Sequence, residues 1–155
     1  MIDAGRGLDD LGRFFDDMLA DISPARRRLV ARKIGQQLRR SNLARIAANE
    51  EPDGGAMEPR KDRGDKRLRR RKMFRRLRYA RHMTIKPSNE GVELRFRGGS
   101  NRISSDHHFG RNSYVGKTKA GDTIRTRYPR RQLLGFNNDD IDGMTDKLLA
   151  WLDRD

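Results

Sequence analysis

Asp106, His107 and His108 are the residues in this 155-residue chain best suited to chemistry, a histidine pair beside a carboxylate. Imidazoles and a carboxylate could hold a metal ion. Adjacent side chains rarely reach the same ion, however, and the chain has neither a cysteine nor a His-x-x-x-His spacing to complete a site. The pattern supports a structural or interface role for the pair, with no metal and no cofactor. No Gly-x-Ser-x-Gly, P-loop or Gly-x-Gly-x-x-Gly motif occurs. The aspartates have no His or Lys arranged around them for acid–base work. The sequence therefore predicts a protein that is not an enzyme.

Charge is the stronger signal. The chain carries a net +14, from 36 Lys and Arg against 22 Asp and Glu. Residues 1–22 hold six Asp and two Arg, a net of −4, and the last 19 residues hold six Asp, one Lys and one Arg, again −4. The middle of the chain therefore carries +22. Its densest part is 60–81, with thirteen Lys and Arg against two Asp. Such a run can release counterions from phosphates. Only Phe74 and Tyr79 interleave with it, so stacking platforms for single strands are few. Three readings stay open: docking on acidic surfaces of neighbouring subunits, contact with nucleic acid, or a solvated basic helix.

Composition sets the scale of the scaffold. With 34% hydrophobic and 37% charged residues, the chain can bury one small core. We read residues 1–155 as a single domain with a basic loop and helix inserted at about 52–81. The absence of cysteine excludes disulfides and fits a reducing compartment. No apolar run approaches the roughly 18 residues of a membrane span. The start, Met1-Ile2-Asp3, lacks the basic and apolar regions of a signal peptide. The expected setting is the cytosol, or an assembly built there.

The elements that would position these residues follow from periodicity. Leu8, Leu11, Phe15, Met18, Leu19 and Ile22 recur at helical spacing and predict a helix over 8–21. Ser23-Pro24 predicts a cap and first turn for a second helix running to about Asn49, with Val30, Ile34 and Leu38 as its stripe. Pro52-Asp53-Gly54-Gly55 predicts a turn, followed by a loop to about Arg67. Residues 68–80 read as a short basic helix. Met83-Thr84-Ile85 and the alternating Val92, Leu94, Phe96 predict an antiparallel hairpin. Residues 98–123 show no clear period, and Gly116 to Gly121 reads as a mobile loop. Thr123 to Tyr128 alternates again. A final helix starts at Asn137 or Asn138, with Ile141, Met144, Leu148 and Leu152 on one face. The layout is α+β: N-terminal helices, a small antiparallel sheet, and a C-terminal helix packed on the sheet.

These segments, in this order, resemble the phage virion morphogenesis family of contractile-tailed temperate bacteriophages. The likeness runs through Ser23-Pro24-Ala25-Arg26-Arg27, Arg45-Ile46, Pro52-Asp53-Gly54 and Pro59-Arg60-Lys61. It continues through Lys72-Met73-Phe74-Arg75-Arg76-Leu77-Arg78, His107-His108-Phe109-Gly110 and the block from Tyr128 to Phe136. His108 stands where the family usually has Gln, Phe109 where it has Tyr, and Gln132 where Pro is common. The resemblance implies a structural protein that acts late in tail assembly, at the head-proximal end, and supports stable joining to a filled head. It implies a homo-oligomeric ring, a hexamer by expectation, touching the tail terminator or tail tube protein and a head completion or connector protein. Contact with packaged DNA is possible, and no membrane is involved. The expected location is the neck of the virion, after assembly in the host cytoplasm. Combining charge with the resemblance, we assign Arg69, Arg70, Arg71, Lys72, Phe74, His107, Phe109, Leu133, Leu134 and Phe136 to a protein interface. Arg67, Arg75 and Arg76 are the residues that would face DNA.

Overall fold

A computed structural model describes residues 22–61, Gly64 and residues 71–153. The helix expected at 8–21 lies outside the described residues, as do Arg67, Arg69 and Arg70. The architecture is α+β, with three α-helices, the last of them C-terminal, and two small antiparallel sheets among the described residues.

Helix α1 (Pro24–Ala48) is the spine. The Ser23 hydroxyl accepts from the Arg26 N–H at 3.3 Å, and Pro24 opens the first turn, where its missing N–H removes no helix bond. The helix ends at Asn49, in the left-handed conformation with φ of 63°. Strands β1 (Met83–Pro87) and β2 (Val92–Phe96) form the expected hairpin, with Met83 opposite Phe96 and Pro87 opposite Val92. Its turn is closed by the Ser88 hydroxyl, which accepts from the N–H groups of Glu90 and Gly91.

This hairpin lies on α1 at Gly35. A Cβ there would stand 2.5 Å from Ile85 Cγ2 and 2.6 Å from Val92 Cγ2. The close approach shifts the buried stripe of α1 to Val30, Ala31, Gly35, Asn42 and Ile46, while Ile34 and Leu38 are half-buried. The core gathers at the C-terminal half of the spine: Ile46, Met57, Met73, Leu77, Met83, Phe96 and Leu133. Three of these are methionines, whose flexible thioethers fill the irregular space between loops.

Three segments differ from the sequence reading. The first is the basic helix expected at 68–80. Its described part, from Arg71, is a run of turns closed by Leu77 N–H to Phe74 O at 2.8 Å and Tyr79 N–H to Arg76 O at 3.3 Å, then a short 3-10 turn at Ala80–His82. Phe74 has φ of 56°, which no α-helix accommodates. Asn49 imposes that path: its amide accepts from Met73 N–H at 3.0 Å and donates to Met73 O at 3.3 Å.

The second difference is helix α2 (Gly99–Phe109), in the stretch that showed no period. It buries Ser104 and Asp106 and exposes Ile103, so its inner face carries no hydrophobic stripe. The third is the loop expected at Gly116–Gly121. It is the end of strand β3 (Asn112–Lys117) and a tight turn into β4 (Thr123–Arg127), closed by Thr118 N–H to Asp122 O at 2.8 Å.

Helix α3 (Asn138–Leu152) opens with a reciprocal cap between Asn137 and Asp140. It runs antiparallel to α1: Asp140 meets Arg45, Gly143 meets Gln37, and Arg26 lies over the Trp151 ring at 5.5 Å. The helix thus reaches the β1–β2 sheet chiefly through α1.

Candidate protein–protein interface

The two histidines are structural staples. Arg131 is 3% exposed and threads between two segments. Its guanidinium donates to Glu58 O at 2.5 Å, to Pro59 O at 2.8 Å and to His107 Nδ1 at 2.9 Å. A guanidinium only donates, so His107 Nδ1 must hold a lone pair and its proton must sit on Nε2. Burial, with the Arg131 charge second, pushes the His107 pKa down to about 4. The ring is packed edge-on by Phe74, with centroids 4.9 Å apart, and lies 4.3 Å from the ring of Tyr128. His108 Nδ1 accepts from the Leu133 N–H at 3.2 Å, so it too is neutral. Burial and then the Arg130 charge lower its pKa. Among the described residues no three His, Asp or Glu side chains form a group that could hold a metal ion.

A second polar cluster fixes the segment after Leu133. The buried amide of Asn42 accepts from Gly135 N–H at 2.9 Å and donates to Leu38 O at 2.8 Å. Arg45 donates to Gly135 O at 2.8 Å and pairs with Asp140 at 2.7 Å. Burial alone would raise the Asp140 pKa. Hydrogen bonds from Ser41, Arg45 and the Asn137 backbone, with the Arg45 charge, outweigh it and hold the carboxyl below its usual range. Gly135 fits because a Cβ would stand 2.6 Å from Pro52 Cγ.

These restraints deliver an exposed apolar site. Leu38 of α1, Val92, Leu94 and Phe96 of β2, and Phe109, Leu134 and Phe136 line an open groove of about 390 Å³. Phe109 is 60% exposed and Phe136 61% exposed. Large aromatic rings left this open are characteristic of binding surfaces.

The residues singled out by sequence thus divide. Phe109, Leu134 and Phe136 converge on the groove. Leu133, at 2% exposed, belongs to the core. His107 and Phe74 are half-buried in the staple around Arg131. Arg71, Lys72, Arg75 and Arg76 are exposed on the turns beyond it. The buried partners Arg131, Asn42, Arg45 and Asp140 were not legible as such. The Arg130-Arg131 and Arg39-Arg40 pairs look alike in sequence, and only the path of the 57–59 segment distinguishes them.

A sequence profile of the phage virion morphogenesis family spans residues 8–153. The chain belongs to that family. Its relatives include tail completion protein S of Escherichia phage P2, 31% identical over 154 residues, covering 95% of this chain and 100% of that protein. No solved structure matches. The segment from Tyr128 to Phe136 is the strap that His107, His108, Asn42 and Arg45 hold against the body, with Phe136 at its outer end.

Proposed function

We propose that this chain is a structural tail completion protein. It acts at the head-proximal end of the tail and supports stable joining to a filled head, without catalysing a reaction. It works as a subunit of a ring, a hexamer, in the neck of a virion assembled in the host cytoplasm. Its neighbours are the tail terminator or tail tube protein on one side and a head completion or connector protein on the other. The observation that carries this reading is the groove: the family's own segments fold so that Phe109, Leu134 and Phe136 stand together at the surface. Apolar anchors of this kind supply affinity, and the surrounding charge sets register and excludes wrong partners. The exposed cations Arg71, Lys72, Arg75 and Arg76, with Arg69 and Arg70 before them, extend the contact to the same neighbours. Purified protein added to tails that lack it should restore head attachment, scored by electron microscopy. Failure to restore it would reject the reading.

A second reading, contact with nucleic acid, is favoured by a separate feature. Arg32, Arg39, Arg81 and Arg97 line an open cleft between α1 and β1, and among the described residues no acidic side chain lines it with them. Four guanidinium groups on one cleft suit a phosphate backbone, such as packaged DNA passing the joint. A mobility shift on short duplex DNA, from low to physiological salt, tests it. Sequence-preferring binding that persists at physiological salt would favour a basic nucleic-acid-binding module over the structural role.

A further inference from the structure

Two surfaces of this chain are uncovered among the described residues, and they are opposite in charge. The first is the β3–β4 hairpin. It packs on itself and makes no substantial contact with any other described element. It exposes Tyr114, Val115 and Ile124 at 44%, 46% and 41%. Around them stand Lys117, Lys119, Arg125 and Arg127, against Asp122, which is tied into the turn by Thr118. The register slips between Tyr114 and Gly116, a bulge that bends the arm. An isolated two-stranded hairpin is at best marginally stable in water, so an arm this bare would gain order from a further surface.

The second surface is the outer face of α3. Asp140, Gly143 and Trp151 turn toward α1. Ile141, Thr145, Leu148 and Leu152, spaced by four, three and four, therefore share a different face. Ile141, Leu148 and Leu149 are 43%, 39% and 54% exposed. Asp139, Asp142 and Asp146 form a row beside that stripe. The sequence pattern places Ile141, Met144, Leu148 and Leu152 on one core-facing stripe; Met144 and Leu152 are half-buried, whereas Ile141 and Leu148 are exposed.

We propose that the β3–β4 arm of one copy lies across the outer face of α3 of the next copy. Tyr114 would rest on the Ile141–Leu148 stripe, and Arg125 and Arg127, which share its face of the arm through the pairs Tyr114–Arg125 and Asn112–Arg127, would lie against Asp142 and Asp146. The occupant is a second copy because both halves of the contact are present in every chain and complement each other in charge and apolarity. The chain's own first 22 residues, with a net of −4, share the sign of α3 and suit that face less well. An arm-to-helix contact is heterologous, so it propagates from copy to copy and closes into a ring when the rotation allows. This deepens, and rests on, the ring-forming part of the reading above.

The test uses two full-length charge reversals, Arg125→Glu with Arg127→Glu, and Asp142→Arg with Asp146→Arg. Sedimentation velocity should show the wild type assembling at low salt and each variant alone losing the oligomer. An equimolar mixture of the two should regain it, since reversed arm meets reversed helix and native arm meets native helix in alternation. A wild type that stays monomeric, a variant that assembles as the wild type does, or a mixture that fails to recover would each overturn the proposal. Because the chain has no cysteine, Tyr114→Cys and Leu148→Cys introduced together should give an intermolecular disulfide ladder. If Leu148→Cys instead couples within one chain to Phe15→Cys, the N-terminal segment covers α3 and the proposal falls. Head attachment is scored on the same variants. Wild-type attachment by a variant that has lost the oligomer would leave tail completion standing and remove the arm contact from it.

Discussion

Arg131 donates to the Nδ1 lone pair of His107 at 2.9 Å, so a buried cation is held by a histidine that must stay neutral. The rest of the guanidinium is taken by Glu58 O and Pro59 O. One side chain thereby ties together α2, the loop after Pro52 and the strap that carries Phe136.

That geometry makes the fold sensitive to mild acid. His107 titrates near 6.5 when unfolded and near 4 when folded, so the unfolded chain binds the extra proton between those values. Stability from this group is full above about pH 6.5 and is lost as pH falls toward 4. The loss is about 2 kcal/mol once solvent screening of the part-exposed ring is discounted. Urea denaturation at pH 7 and pH 4.5 should show the drop, and His107→Gln should flatten it. An unchanged pH slope in that variant would count against the staple.

The Arg45–Asp140 pair should behave as a buried ion pair. Its side chains are 11% and 5% exposed. Asp140→Asn leaves the Arg45 charge buried without a counter-ion and should cost about 3–5 kcal/mol, measured by denaturant unfolding. Replacing both members by apolar residues of similar volume should cost much less. The depressed Asp140 pKa adds stability above the unfolded carboxylate value that is lost as pH falls through the folded one. Strongly acid conditions should therefore weaken the α1–α3 contact.

Gly35→Ala sets two effects against each other. Alanine gains about 1 kcal/mol of helix propensity over glycine. The added methyl group would meet the stiff γ-methyl groups of Ile85 and Val92 at 2.5 and 2.6 Å, and overpacking of that kind costs about 1–3 kcal/mol. Overlap should win, giving a lower unfolding midpoint. A raised midpoint would mean that the hairpin moves away freely.

Phe109→Ser with Phe136→Ser should separate folding from joining. Both rings are mostly exposed, so unfolding free energy should shift by no more than about 0.5 kcal/mol for each substitution. Head attachment to tails supplemented with this variant should fall at least tenfold relative to wild type. Normal attachment would remove the groove from the joining surface.

Replacing Arg71, Lys72, Arg75 and Arg76 by Ser should leave stability unchanged, because all four side chains are exposed. If these cations contact a neighbour or DNA, head joining should drop and its salt dependence should shrink. Normal joining by this variant would exclude the turn from the contact.

Local signals in the chain were decisive where they act over a few residues. Ser23-Pro24 marks the start of α1, Asn137 caps α3, and the alternation from Val92 to Phe96 sets the hairpin register, because caps, turns and pleats depend on neighbours close in sequence. The sequence also sufficed to place the chain in its family, since a family profile matches residues 8–153. Tertiary structure decided the rest. Helix α2 turns Ser104 and Asp106 inward, so no hydrophobic period betrays it. The basic stretch expected as helix is bent by Asn49, a residue more than twenty positions away. Ile141 and Leu148 of the α3 stripe are exposed because Arg45 binds Asp140 and turns that side of the helix toward α1. Burial of an arginine, an asparagine or an aspartate depends on partners brought together only by the whole fold, and periodicity within one segment carries no trace of them.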